Sequence, residues 1–128
     1  MGNKKIVLVV DDDPEIRMLI REILGRHRYK VITAYNGLDA IKKSRDQKID
    51  VILLDICMPI FSGYWFCDAF KRMPQTQHVP VIAISALSDE QDIKKAYQVG
   101  ASAYLTKPFD SETLLKVVEQ QLQAPPLV

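Results

Sequence analysis

Two stretches decide the fold: Ile6-Val7-Leu8-Val9-Val10-Asp11-Asp12 and Val51-Ile52-Leu53-Leu54-Asp55. Each is an unbroken apolar run that ends in acid. A strand buried on both faces, as in a parallel sheet, reads as such a run rather than as an alternation of apolar and polar residues. The carboxylates therefore fall where strands emerge at the carboxyl edge of a sheet, which is where open α/β folds bind ligands. Three acidic groups converging there repel one another unless a proton or a hard divalent cation intervenes, and Mg²⁺ suits carboxylate and water ligands.

The same rhythm of strand and helix runs along the rest of the chain. Strands are expected at 6–10, 30–34, 51–54, 80–84 and 103–105, the last being the shortest. The first helix carries Ile16, Leu19, Ile20, Ile23 and Leu24 at i, i+3, i+4, i+7 and i+8, with Pro14 suited to its first turn and Gly25 to its stop. A second helix, 38–45, follows an Asn36-Gly37 turn signal; a third carries Phe66, Ala69, Phe70 and Met73 on one face and ends before Pro74. The fourth opens on Ser88 and Gln91 in capping-box spacing and stops at Gly100. The fifth has Asp110 as N-cap, Phe109 and Leu114 as a hydrophobic staple, and Val118 and Leu122 on the same stripe. Strand-helix repetition at this spacing implies right-handed crossovers and a parallel sheet with helices on both faces. The expectation is one domain over 1–128, with its core at about 5–122 and a frayed tail from Gln123 to Val128.

Composition agrees with one globular unit: the 128 residues are 48% hydrophobic and 26% charged, enough to bury about 70% of the unfolded surface. A net charge of +1 sets up no long-range field, so neither nucleic acid nor an anionic membrane is expected as a direct partner. No apolar run is long enough to span a bilayer, and Lys4-Lys5 before a five-residue apolar stretch does not make an export signal. A reducing, cytoplasmic setting follows, in which Cys57 and Cys67 are expected to be free, buried thiols.

Val10-Asp11-Asp12 after the first strand, Leu54-Asp55-Ile56-Cys57-Met58-Pro59 after the third, Ser85-Ala86 after the fourth and Tyr104 to Lys107-Pro108-Phe109 after the fifth occur in that order. In this the chain resembles a response-regulator receiver domain, the phosphoacceptor module of two-component signalling, over about 5–122. The resemblance implies a flavodoxin-like fold with sheet order 2-1-3-4-5. It also implies that Asp55 takes a phosphoryl group from a histidine kinase or a histidine phosphotransfer protein. Mg²⁺ would be held by Asp12 and Asp55, with Asp11 acting through water and the Cys57 backbone carbonyl as a further ligand. Lys107 would add positive charge beside the phosphoryl oxygens, and Ser85 would donate its hydroxyl to one of them. Movement of Ser85 would let Tyr104 turn inward, altering the surface of the fourth helix, fifth strand and fifth helix. That surface would meet a downstream protein target or a fused output domain. Such a module is a switch rather than an enzyme acting on other substrates.

Plainer readings bear on the remaining residues. Asp13 precedes Pro14 at a helix start, where a carboxylate caps amides rather than binds metal. His27 and His78 have no neighbour at ligand spacing, and Trp65 lies about 100° off the Phe66 stripe and is expected to be partly exposed. Three positions depart from the family's usual pattern. Ser62 stands where an aspartate is common, and Cys57 and Leu87, two past Asp55 and Ser85, occupy the pair that tunes acyl-phosphate hydrolysis. Neither Cys57 nor Leu87 is an efficient general base, which implies slow self-dephosphorylation. Cys57 also argues against a haloacid-dehalogenase-type phosphatase, which carries a second carboxylate there. A degenerate receiver that only binds proteins is disfavoured because every charged site residue is present.

Overall fold

The computed structural model describes residues 4–59 and 62–123. Five parallel strands form one sheet in the order β2-β1-β3-β4-β5: β1 Ile6–Val10, β2 Lys30–Ala34, β3 Val51–Asp55, β4 Val81–Ser85 and β5 Ala103–Thr106. The helices between and after them are α1 Pro14–Gly25, α2 Gly37–Ser44, α3 Gly63–Phe70, α4 Glu90–Gln98 and α5 Ser111–Gln123. This is the flavodoxin-like order expected from the sequence. It places the switch point, where strand order reverses, at the carboxyl ends of β1 and β3.

Alternate residues of the central strands face two separate cores. Leu8, Val10, Ile52, Leu54, Val81 and Ala83 pack with Ala40, Phe66, Phe70 and Ala96 from α2, α3 and α4. Val7, Val9, Val51, Leu53, Ile82 and Ile84 pack with Ile20, Leu24, Leu114 and Val118 from α1 and α5. All residues of β3 and β4 are buried, so these strands must be apolar on both faces and show no alternation.

Several boundaries differ from the sequence expectation, each for a physical reason. Asn36 is an N-cap rather than a turn residue: its side chain accepts the Asp39 N–H at 2.8 Å, and α2 begins at Gly37. A Cβ on Gly37 would run into the Phe66 ring, so the close packing of α2 on α3 requires glycine there. The Ser88/Gln91 capping box does not form; α4 starts at Glu90 with Asp89 as N-cap and no side-chain cap bond. Helix α3 ends at Phe70, and Met73 lies in the turns beyond it. Leu19, placed on the buried stripe of α1, is 41% exposed. Asp110 does cap α5, accepting the Thr113 N–H at 2.7 Å, and Phe109 joins the same core as Leu114. Gln123 closes α5 rather than starting a tail; the rest of that expected tail, 124–128, lies outside the described residues, as does the start of the chain through Asn3. No helix among the described residues is long and apolar enough to cross a membrane.

Candidate functional site

The carboxyl edge gathers the acidic groups from two neighbouring strand ends. Asp11 follows β1 and its N–H continues the pairing onto the Ala34 carbonyl at 3.2 Å. Asp55 is the last residue of β3, which lies beside β1. One carboxylate oxygen each from Asp11, Asp12 and Asp55 lie within 4.8 Å of one another. Asp11 and Asp55 are buried, at 1% and 4% exposure, while Asp12 is exposed.

Backbone amides and cations hold this cluster in place. Asp11 Oδ1 accepts the Asp13 N–H at 2.9 Å and Oδ2 accepts from Lys107 Nζ at 3.0 Å. Arg17 Nη1 donates to the Asp11 carbonyl at 2.7 Å. Asp55 Oδ1 accepts the Cys57 N–H at 2.9 Å, and Lys107 Nζ lies 3.6 Å from Asp55 Oδ2. Asp13 caps α1 by accepting the Glu15 N–H at 2.9 Å, as its place before Pro14 suggested.

Burial raises the Asp55 carboxyl above its ordinary value, and the Asp11 and Asp12 anions add to this against the Cys57 N–H and Lys107. For Lys107, burial pulls the ammonium down, but the Asp11 hydrogen bond and the two carboxylates outweigh it, and the net direction is upward. Three carboxylates thus face one ammonium. A set of hard oxygen donors with surplus negative charge fits a divalent cation of the Mg²⁺ type.

On the other side of Asp55, β4 and β5 deliver the polar groups. Ser85 ends β4 and is fully buried. Its carbonyl accepts the Lys107 N–H at 2.7 Å, which fixes the loop carrying the lysine to the strand end carrying the serine. Ser85 Oγ accepts the Leu87 N–H at 2.9 Å and lies 3.1 Å from Cys57 Sγ. Tyr104 is half-buried against the core under α2, α3 and α4, and its hydroxyl donates to the Leu87 carbonyl at 2.7 Å. Burial raises the Tyr104 phenol, with the nearby Ser85 hydroxyl acting against it.

Cys67 is buried and free, and its thiol is pushed up to about 11 by that burial. Cys57 is free but exposed, a correction to the expectation of two buried thiols. It follows the buried Ile56 on the loop leaving β3, where the chain turns out of the core. His27 and His78 are exposed, and Trp65 is 56% exposed.

Further groups support the site through contacts across the fold. Gly63 begins α3 hard against the strand end: a Cβ there would collide with the Asp55 carbonyl oxygen and the Ile56 Cα. Ser62 makes no side-chain cap, so the Gly63 N–H bond to the Ile56 carbonyl at 3.2 Å closes the loop instead. Arg17 reaches a backbone carbonyl, an acceptor every residue offers. Tyr64 bridges α3 to α4, its hydroxyl donating to the Asp92 carbonyl at 3.2 Å while Lys95 Nζ sits 4.3 Å from its ring centroid.

Known proteins share both this geometry and its sequence. Residues 7–119 match the family model described as response regulator receiver domain. Protein PilH of Pseudomonas aeruginosa is 36% identical over 116 residues, covering 91% of this chain and 96% of that protein. Chemotaxis protein CheY4 of Vibrio cholerae superposes with a TM-score of 0.89 at 33% identity, over 93% of this chain and 99% of that one. Response regulator TrrA of Thermotoga maritima, solved in complex with Mg²⁺-BeF, superposes with a TM-score of 0.81 at 32% identity, over 92% and 99% of the two chains. Other relatives are longer, and the chain spans only 7% of a hybrid histidine kinase of Dictyostelium discoideum and about half of two transcriptional regulators. With the acidic cluster, Ser85 and Lys107 at the strand ends where that family model runs, the chain belongs to the response regulator receiver domain family.

Proposed function

We propose that the chain is a phosphoacceptor switch in which Asp55 receives a phosphoryl group from a phosphohistidine on a histidine kinase or a histidine phosphotransfer protein. The observation that carries this reading is the setting of Asp55: a buried carboxylate at a strand end, beside Asp11 and Asp12 and within 3.6 Å of the Lys107 ammonium. An Asp55 carboxylate oxygen forms the new P–O bond as the donor's N–P bond breaks. The electron pair leaves with the imidazole nitrogen, and the product is an acyl phosphate.

Asp12, Asp55 and Asp11, with the Cys57 carbonyl, are the groups that would hold Mg²⁺. The ion, when bound, neutralises phosphoryl oxygens that would otherwise be repelled by the carboxylates. Lys107 can exchange a carboxylate oxygen for a phosphoryl oxygen with little movement, since its ammonium already sits between Asp11 and Asp55. Ser85 would turn its hydroxyl to a second phosphoryl oxygen, and Leu87 and Tyr104, both hydrogen-bonded into the same group, would feel that movement. The output surface is then α4, β5 and α5, read by a downstream protein or a fused output domain in the cytoplasm. The unit acts as a single receiver over 1–128. With Cys57 and Leu87 beside the acyl phosphate, no side chain there activates water well, and self-dephosphorylation is slow.

Incubation with acetyl phosphate and Mg²⁺ tests the chemistry. One added phosphoryl group by intact mass, removed by hydroxylamine and absent from Asp55→Asn, is expected. Labelling of the variant at the parental level would show the acceptor to be a different residue.

A further inference from the structure

Ser85 Oγ is fully buried and already engaged before any phosphoryl arrives. It accepts the Leu87 N–H at 2.9 Å, and Cys57 Sγ lies 3.1 Å away, a sulfur-oxygen distance at which one group donates to the other. A hydroxyl has one proton to give. If the Ser85 proton is directed at a phosphoryl oxygen on Asp55, its contact with the thiol must be given up or reversed. Cys57 follows Asp55 by two residues, and its N–H is itself bonded to Asp55 Oδ1 at 2.9 Å, so thiol, hydroxyl and acceptor carboxylate share one small space.

We propose that the Cys57 thiol is a positioning residue that parks the Ser85 hydroxyl in the resting state and so sets how readily the switch engages. The inference rests on the phosphoacceptor reading of Asp55. It assigns to the side chain of Cys57 a role apart from both its backbone carbonyl and any effect on hydrolysis. The thiol and the phosphoryl group compete for one hydroxyl. Removing it releases Ser85 without touching any carboxylate or Lys107.

Binding of beryllofluoride in the presence of Mg²⁺, followed by the tyrosine ring signals, measures this without any turnover. Cys57→Ala is expected to bind the mimic about two- to fivefold more tightly, the size of one weak hydrogen bond. Cys57→Ser, which restores a hydrogen-bonding atom at that place, is expected to return the affinity to near the parental value. Ser85→Ala should weaken binding, and adding Cys57→Ala in that background should change nothing, because the two side chains act through one contact. Equal effects of Cys57→Ala with and without Ser85 would overturn the proposal, as would no effect on the mimic at all. A matching change in affinity for Mg²⁺ alone would also overturn it, since the substitution would then be acting through the loop backbone. A parental protein that takes no beryllofluoride would instead overturn the phosphoacceptor reading, and this inference with it.

Discussion

Lys107 Nζ lies 3.0 Å from Asp11 Oδ2, which ties the loop after β5 to the end of β1 across the two intervening strands β3 and β4. Asp11 is almost completely buried and Lys107 only one-fifth exposed, so the pair is shielded from solvent on one side. Breaking a buried pair from one end leaves the other charge uncompensated. Lys107→Ala should therefore destabilise the metal-free protein by on the order of 2 kcal/mol, below the full buried-pair value because the ammonium retains some water contact. Mg²⁺ should recover much of that loss by supplying positive charge to the same carboxylates. Urea unfolding with and without Mg²⁺ measures both effects, and an unchanged metal-free midpoint would refute the claimed coupling.

Asp55 gives a pH dependence with a definite sign. Its carboxyl is raised, burial first and then the Asp11 and Asp12 anions, above the ordinary 3.8. A carboxyl of higher pKa in the folded state keeps its proton longer there, so stability falls as pH rises from that ordinary value through the raised folded one. Above that raised value the cost is fully present. Asp55→Asn, which still offers an oxygen to the Cys57 N–H, should thus be more stable than the parent at pH 7 without metal. The difference should shrink as the pH is lowered toward 4, and thermal melts across that range are the measurement. A gap independent of pH would remove the electrostatic explanation.

The same repulsion predicts a response to metal. Mg²⁺ bound only by the native state should stabilise the protein by about 2.7 kcal/mol at a hundredfold excess over its dissociation constant. Asp12→Asn should lose most of this, because Asp12 is the exposed member of the cluster and the one open to an arriving ion. If the parent melts at the same temperature with and without Mg²⁺, the three carboxylates are not a cation site.

Two glycines separate close approach from mere helix ending. A Cβ on Gly63 would meet the Asp55 carbonyl and the Ile56 backbone, neither of which can move without displacing β3. Gly63→Ala should cost about 2–3 kcal/mol and reduce phosphoryl uptake by misplacing Asp55. Gly25 has nothing within 4 Å of the corresponding position. Gly25→Ala should be neutral or stabilise by up to about 1 kcal/mol. Equal costs at the two sites, read by chemical denaturation, would contradict the packing argument.

The contrast between these glycines shows what was legible in advance. The doubly buried strands were read correctly because burial on both faces leaves an unbroken apolar run, and the acids at their ends followed from that. Asp13 and Asp110 were recognised as caps because cap chemistry depends on residues adjacent in sequence. Ser88 misled for the same reason: the spacing was right, yet the N-cap falls one residue later, at Asp89, and makes no side-chain cap bond. Contacts made across the fold left no trace. The Cys57–Ser85 approach joins a loop to a strand end 28 residues away, and the exposure of Cys57 depends on where the loop after β3 turns outward. The Tyr64 contacts to α4, through its hydroxyl and its ring face, likewise join residues 28 and 31 apart in sequence.

Helix α4 is the element least secured to the body of the protein. Ala96 is its only buried residue, its N-cap makes no side-chain bond, and Tyr97 is 47% exposed. By comparison, α1 buries both Ile20 and Leu24. Segments with few buried apolar contacts open locally at lower free energy, so amides of α4 should exchange faster than those of α1. Tyr64 supplies much of what holds α4, through the Asp92 carbonyl and the Lys95 ammonium over its ring. Burial pushes the Tyr64 phenol up to about 12, so the hydroxyl remains a donor throughout the neutral range. Tyr64→Leu should remove both ties and speed exchange across 90–98 by roughly tenfold, corresponding to about 1.4 kcal/mol for one hydrogen bond and one cation–π contact. Exchange in α1 should be unchanged. Beryllofluoride with Mg²⁺ should alter exchange in α4 and around Tyr104 in the parent while leaving α1 as it was. Uniform acceleration of both helices in Tyr64→Leu would mean that the tyrosine supports global stability, and that α4 is not a separately moving part.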